Sequence, residues 1–571
     1  MIHPTPAIVT QGAVRPLPRW ALLLLCLAYV VPGFVLRDPW KNADITAFGY
    51  MLELAHGTTA WLSPSLAGMP PETEALLPYW LGALALQVAP SWLSQEMAAR
   101  LPFIALLVAT LVATWYGVYN LAKSPGAQPV AFAFGGEALP ADYARAMADG
   151  GLLALLACLG LAQLSHEITS YLTQLACTAL LFFAASALPY RTAIPTAAAA
   201  LGLIGLVLSG APTMAALLGA GSALLVLRTT DHEPRSSRTW ALALLGMTVV
   251  AALLAWKLNL WRWRIVGTAE GAKDWPSLLR LLIWFAWPAW PLALWTLWRW
   301  RRQIASRAMH RHLLLPLWFT AVTLGATITT QPADRALLLG LPALAALAAF
   351  ALPTLRRAIA SLIDWFTLLF FSASAITIWV IWLSLQTGIP AKPAANVARL
   401  APAFVPHFSA VAFTLAMIAT AAWCALVWWR ASRDRAVIWK SLVLPAGGAT
   451  LGWLLLMTLW LPLLDYGRSY RPQMNNLMAV LGPQPGCIIT HGLSRAQAAA
   501  LQYHGGLSLQ PTDGHRLPAA SDCQWLVADS EARPSGGDIA PAPEWSRVTQ
   551  LPRPTDKNDQ LLVLRRAAAP Q

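Results

Sequence analysis

The sequence predicts a polytopic α-helical membrane protein of about thirteen transmembrane helices, with a small extracytoplasmic α/β domain at its C-terminal end. Three observations predict it. The 571 residues are 57% hydrophobic and only 12% charged, where a soluble domain carries about 25% charged residues. Apolar runs of roughly 20 residues, long enough to cross a hydrocarbon core of about 30 Å, recur along most of the chain. From about residue 465 the composition turns abruptly polar and rich in Gly and Pro. The 29 tryptophans fit the same class, because indole rings favour the membrane–water interface. The net charge of +14 does not point to nucleic acid, since the arginines fall in short loops between apolar runs, as the positive-inside rule requires.

The elements follow in order. Arg15 and Arg19 precede the first span, 20–36, and place the N-terminus in the cytoplasm. That span ends in Arg37-Asp38 rather than a small-residue cleavage site, so it reads as an uncleaved signal-anchor. The loop 37–99 is then extracytoplasmic. It carries two stretches, 47–54 and 76–88, expected to lie at the membrane surface, although the second is also readable as a short span. Spans are expected at 101–121, 150–164, 169–189, 193–209, 213–227, 239–256, 278–298, 313–330, 336–354, 363–385, 407–429 and 441–463. An odd number of spans starting inside puts the tail outside. The transmembrane domain is 1–464 and the tail domain 465–571. In the tail, 471–481 reads as helix, and 487–490, 523–527 and 561–564 read as strands. Cys487 and Cys523 are the tail's only cysteines and are candidates for a disulfide in an oxidising compartment, with two separate buried thiols as the alternative.

Acidic residues number 26, and several gather in the first outer loop. Carboxylates beside a bilayer cost free energy unless solvated, paired or used. Asp38 and Asp44 are candidates for a general base, against solvated loop acids. Glu74 and Glu72 precede Leu76-Leu77-Pro78-Tyr79 and suit either a helix N-terminus or a functional role. His166-Glu167 is a polar turn or a part of the same outer cavity, with Tyr79. Lys41, Arg262, Arg264 and Arg335 are outward cations fit to meet lipid headgroups or to hold a phosphate. No zinc spacing, P-loop or dinucleotide motif is present, so neither a metal nor a nucleotide cofactor is expected.

This layout resembles the GT-C membrane glycosyltransferases of the family-39 type, which include lipid A aminoarabinose transferases and protein O-mannosyltransferases. The acidic loop after span one, the motif Pro78-Tyr79-Trp80-Leu81-Gly82, Arg100-Leu101-Pro102 opening span two, the span count and the outer tail carry the resemblance. The family's Asp-Glu-x-Arg-Tyr pattern is here Ala43-Asp44-Ile45-Thr46. Its Glu-Lys-Pro-Pro is Glu74-Ala75-Leu76-Leu77, and its Lys-Gly-Pro is Gly210-Ala211-Pro212, both without the lysine. The resemblance implies an inner-membrane glycosyltransferase with a polyprenyl-phosphate-linked sugar as donor and a lipid or protein acceptor at the periplasmic face. It implies Asp44 as base, ahead of Asp38, and basic residues on the departing phosphate. The rival readings are a flippase for a lipid-linked saccharide, which predicts charges within the spans, and a non-catalytic membrane scaffold.

Overall fold

The computed structural model describes residues 5–228, 234–261, 275–306, 309–431, 437–483, 485–511, 523–529 and 545–566. Among them, seven helices are long and apolar enough to cross a membrane, or eight if one bent pair counts as a single span. The bent pair is Trp275–Phe285 and Ala289–Arg299, turned by 88°. Pro288 sits in the break, where a proline removes a backbone donor and clashes with the preceding turn.

By contacts the chain forms two units. The first comprises Met1–Val35, Pro102–Thr377 and Val411–Thr458; the second comprises Leu36–Leu101, Ile378–Ala410 and Leu459–Gln571. In the first unit, sequence neighbours pack against each other: Ser170–Ala187 with Ala193–Leu208, and Pro212–Arg228 with Pro234–Lys257. Helix Pro140–Ala157 is buried between Leu341–Ala351 and Lys440–Thr458. Leu23, Leu24 and Leu27 of helix Arg19–Val30 are exposed, as an apolar face turned to lipid would be.

Each expected span overlaps helical residues, but 278–298 falls on the bent pair, 336–354 is divided between Ala333–Leu338 and Leu341–Ala351, and several boundaries differ. The third, expected at 150–164, is a helix over Pro140–Ala157 that breaks before Leu161–Leu164. Its polar start, with Asp142 and Arg145 in the first two turns, hid its beginning. The last span ends at Thr458 rather than 463, and a separate short helix, Leu461–Arg468, follows it. Pro462 in the first turn of that helix favours a new start there.

In the second unit, the stretch expected at the membrane surface is helix Ala43–His56. It is buried on most of its circumference rather than lying on a surface by one face. Helix Leu77–Val88 packs on one side of it and helix Arg495–Tyr503 on another. The latter starts at Ser494, whose side chain accepts from the Gln497 backbone N–H, while Gln497 accepts from the Ser494 backbone N–H.

The tail carries a five-stranded sheet. Its strands are β1 (Ile488–His491), β2 (Leu509–Pro511), β3 (Trp525–Asp529), β4 (Trp545–Arg553) and β5 (Asp556–Arg566), in the order β2-β1-β3-β5-β4. β1 runs parallel to both β2 and β3, and β5 runs antiparallel to β3 and β4. The strands expected at 487–490, 523–527 and 561–564 are thus β1, β3 and part of β5. The expected helix is present as Arg471–Leu481. Ile489, Leu526, Trp545 and Leu564 form a core beside Cys523, which is joined to Cys487 by a disulfide with Cα atoms 5.1 Å apart.

Candidate active site

Helix Ala43–His56 begins right after the segment 37–42, and Asp44 lies in its first turn, where the helix dipole favours an anion. Asp44 is 1% exposed and paired with Arg37, whose Nη2 lies 2.9 Å from its Oδ2. The same oxygen accepts the Trp40 backbone N–H at 3.2 Å. The Arg37 guanidinium also stacks over the Trp40 ring, 4.6 Å from its centroid, and Arg468 faces that ring at 4.9 Å. Two charges buried together hold only when their mutual attraction and added hydrogen bonds offset several kcal/mol of desolvation per ion. Asp44 supplies both to Arg37.

Asp465, in helix Leu461–Arg468, reaches this segment too. Its Oδ1 accepts the Trp40 indole N–H at 2.7 Å and the Asp38 backbone N–H at 3.3 Å. Burial raises its pKa to about 7. The Asp38 carboxylate adds to the rise, while the hydrogen bonds from Trp40 and Asp38 and the charge of Arg37 oppose it. Asp38 itself is paired with Arg471 at 2.6 Å, and Arg471 also approaches Glu96 at 3.8 Å. Tyr503 donates a hydrogen bond to Glu96, and burial with this bond raises the Tyr503 pKa well above its usual value. Burial also holds the neighbouring His504 down to about 4, so its imidazole is neutral. Arg100, 2% exposed, interacts with Arg37, Asp44, Glu96 and Asp465. Acids and arginines here alternate within one unit. A carboxyl that titrates near neutrality suits proton transfer, and fixed guanidinium groups suit a developing anion.

The other residues singled out by sequence fall as follows. Lys41 pairs with Asp556 of the sheet at 2.6 Å, and this bond lowers the Asp556 pKa. Glu72 pairs with Arg495 at 3.2 Å, its side chain largely exposed. Glu74 is half-buried just before helix Leu77–Val88. Tyr79 is buried against Tyr50, ring to ring at 5.1 Å. His166 and Glu167 belong to the first unit. There His166 is enclosed by Tyr29, Phe34 and Trp453, with its Nε2 3.1 Å from the carbonyls of Tyr29 and Val30. Glu167 lies 3.6 Å from Arg335, whose guanidinium stacks over Tyr171. Arg262 and Arg264 lie outside the described residues. Among the described residues no group of three or more His, Cys, Asp or Glu is placed to hold a metal ion. Sequence reading found Asp38 and Asp44 but missed Asp465, Glu96, Arg468 and Arg471.

The same architecture occurs in crystal structures of ArnT from Cupriavidus metallidurans. The structure bound to undecaprenyl phosphate matches with a TM-score of 0.57 at 16% identity, over 97% of this chain and 99% of that one. The apo structure matches with a TM-score of 0.60 at 15% identity, again over 97% and 99%. The chain has the ArnT fold. That is the GT-C fold implied by the motifs between residues 37 and 103 together with the spans and the outer tail. No protein-family model matches the sequence, and no curated protein matches it. The ArnT fold therefore rests on architecture over the whole chain, at an identity too low to carry residue roles across.

Proposed function

We propose that the protein is an inner-membrane glycosyltransferase that moves a sugar from a polyprenyl-phosphate donor to a lipid or protein acceptor at the periplasmic face. The observation that carries this reading is the shared fold over nearly the whole of both chains with a protein crystallised with undecaprenyl phosphate. The acids and arginines gathered around 37–44 support it, because they supply the two things the reaction needs: a proton acceptor and cations for the leaving phosphate. The Arg37–Asp44 pair anchors the reactive segment. Asp38, Asp44 and Glu74 are the acids of the first outer loop in this reading, and the outward cations singled out by sequence are candidates for the donor phosphate. The distribution of arginines and the Cys487–Cys523 bond support an N-in, C-out orientation with the tail in an oxidising compartment.

The test is release of undecaprenyl phosphate by the purified protein in lipid nanodiscs. Synthetic undecaprenyl-phosphate-linked hexoses and pentoses serve as donors, with extracted membrane lipids and proteins as acceptors. Acceptor-dependent release is expected with one of them. A transporter moves the donor without cleaving it and a scaffold leaves it intact, so absence of release with every donor refutes the reading.

A further inference from the structure

Helices Pro212–Arg228 and Pro234–Lys257 of the first unit pack against each other, yet a groove stays open along one side of the pair. Its walls are two stripes of matching pattern. Ala220, Ala223 and Leu224 come from the first helix, and Arg238, Ala241 and Leu242 from the second, each set with a further leucine three residues on. Positions i, i+3, i+4 and i+7 share one face of a helix. The alanines leave a cavity of about 420 Å³, and the leucines beside it are exposed. Past the groove the two helices close up, because a Cβ at Gly219 would collide with the side chain of Thr248. The groove thus follows the second helix from Arg238 to Leu245, about 10 Å at 1.5 Å per residue.

Arg238 is the one polar residue among the described residues that line this groove. Its side chain is exposed, and Arg228, also exposed, ends the first helix next to the last groove leucine of that helix. Neither helix contains an Asp or a Glu. The groove is therefore apolar along its length and cationic at one end. A soluble anion would leave the apolar length unused, and an apolar peptide would leave the arginine unmatched. A guanidinium holds a phosphate bidentately, and its aliphatic stem lies well along apolar surface.

We propose that this groove is a site for an anionic phospholipid, with one acyl chain between the two stripes and the headgroup phosphate on Arg238. This goes beyond the glycosyltransferase reading and does not rest on it. Lipid tails are as apolar as leucine, so the acyl chain gains little by leaving the bilayer for the groove. Selection among membrane lipids then falls to the headgroup. A zwitterionic headgroup carries the same phosphate but brings its own cation beside the arginine. One basic residue next to anionic lipid corresponds to a preference of about fivefold.

The test places the full chain in phosphatidylcholine nanodiscs with a trace of phosphatidylglycerol or phosphatidylcholine carrying a photoactivatable acyl chain. Crosslinked peptides are located by mass spectrometry. The phosphatidylglycerol probe is expected to label 220–227 and 241–245 about fivefold more than the phosphatidylcholine probe. Arg238→Gln should make the two probes equal without abolishing labelling, and Arg238→Lys should keep the preference. Ala220→Phe, at an exposed groove position, should fill the space and lower labelling by both probes at an unchanged thermal midpoint. Equal labelling of the wild type by the two probes marks ordinary surrounding lipid and overturns the proposal. A preference that survives Arg238→Gln, or labelling that survives Ala220→Phe, overturns it too. Displacement of the probe by inorganic phosphate marks a soluble-anion site, and displacement by undecaprenyl phosphate but not by excess phosphatidylglycerol marks a polyprenyl site; either result overturns it as well.

Discussion

Replacing Asp44 with Asn should break a buried ion pair from one side. The new amide keeps the shape of the side chain and an acceptor for the Trp40 backbone N–H, but Arg37 loses the carboxylate 2.9 Å away. Arg37 is 2% exposed, so water does not take over the role. Breaking a buried pair from one side costs about 3–5 kcal/mol. The Trp40 ring at 4.6 Å remains and retains about 0.5–2 kcal/mol of cation–π attraction, which places the loss near the lower end. A loss of about 3 kcal/mol multiplies the open population by roughly a hundred or more, at tenfold per 1.4 kcal/mol. Amide hydrogen exchange read by mass spectrometry checks this on helix Ala43–His56, whose protected amides should exchange about a hundredfold faster in Asp44→Asn. The double variant Arg37→Met with Asp44→Leu removes both charges and should recover most of the protection. Unchanged exchange in Asp44→Asn, or a double variant worse than the two singles combined, refutes the reasoning.

Asp465 makes a pH-dependent prediction of stability. Its pKa is raised from 3.8 to about 7 in the folded protein, so its stabilising contribution is complete below about pH 3.8 and lost as pH rises through about 7. Asp465→Asn should accordingly be the more stable protein at pH 8, by up to about 4 kcal/mol, with the difference closing toward pH 4; thermal melts across that range check the sign. Gly49→Ala should destabilise, although the same change in an open helix gains about 1 kcal/mol, because the added Cβ meets the Ala499 Cβ at 2.8 Å. A melt at or above the wild-type midpoint would contradict that. Cys487→Ser with Cys523→Ser opens a loop of 36 residues and should cost the tail about 4 kcal/mol, read as faster exchange in β1 and β3. Lys41→Met, which loses a half-exposed ion pair with Asp556, should shift stability by less than about 1 kcal/mol.

The fold was legible because its signals are local. Apolar runs of about 20 residues mark spans wherever they fall, and helix 471–481 showed itself by periodicity alone. Span three was misplaced because Asp142, Arg145 and Asp149 interrupt its hydropathy, although its helix starts at Pro140. β4 was not anticipated: Trp545–Arg553 has one buried end and a largely exposed middle, so it lacks the apolar run that marked the other strands. The site was only half legible. Asp38 and Asp44 drew notice through the scarcity of acids beside a span. Asp465 meets the same criterion, but the expected span boundary at 463 made it the opening of a polar tail. The helix break at Thr458 leaves it on an element of its own. Partners such as Arg471 and Glu96 carry no motif; only the folded chain sets them beside Asp38.

The bonds that hold the segment 37–42 join the two ends of the chain. Asp38 and Trp40 reach Asp465 across 427 and 425 residues, Arg471 reaches Asp38 across 433, and Lys41 reaches Asp556 across 515. Arg495 and Gln502 add ties to Glu72 and Glu53, and Tyr503 packs edge-on against Phe48. Each exposed tie is weak by itself, at about 0–1 kcal/mol. The buried contacts, Gly49 against Ala499 among them, give them a common footing by holding helix Arg495–Tyr503 on helix Ala43–His56. Trp40 then has one geometry available: its backbone N–H on Asp44, its ring N–H on Asp465 and an arginine stacked on its ring. A chain cut after residue 464 would lose more than the tail sheet. It would lose the carboxyl that accepts the Trp40 indole hydrogen bond and the arginine that holds Asp38, leaving the first outer loop with its acids but without the groups that orient them.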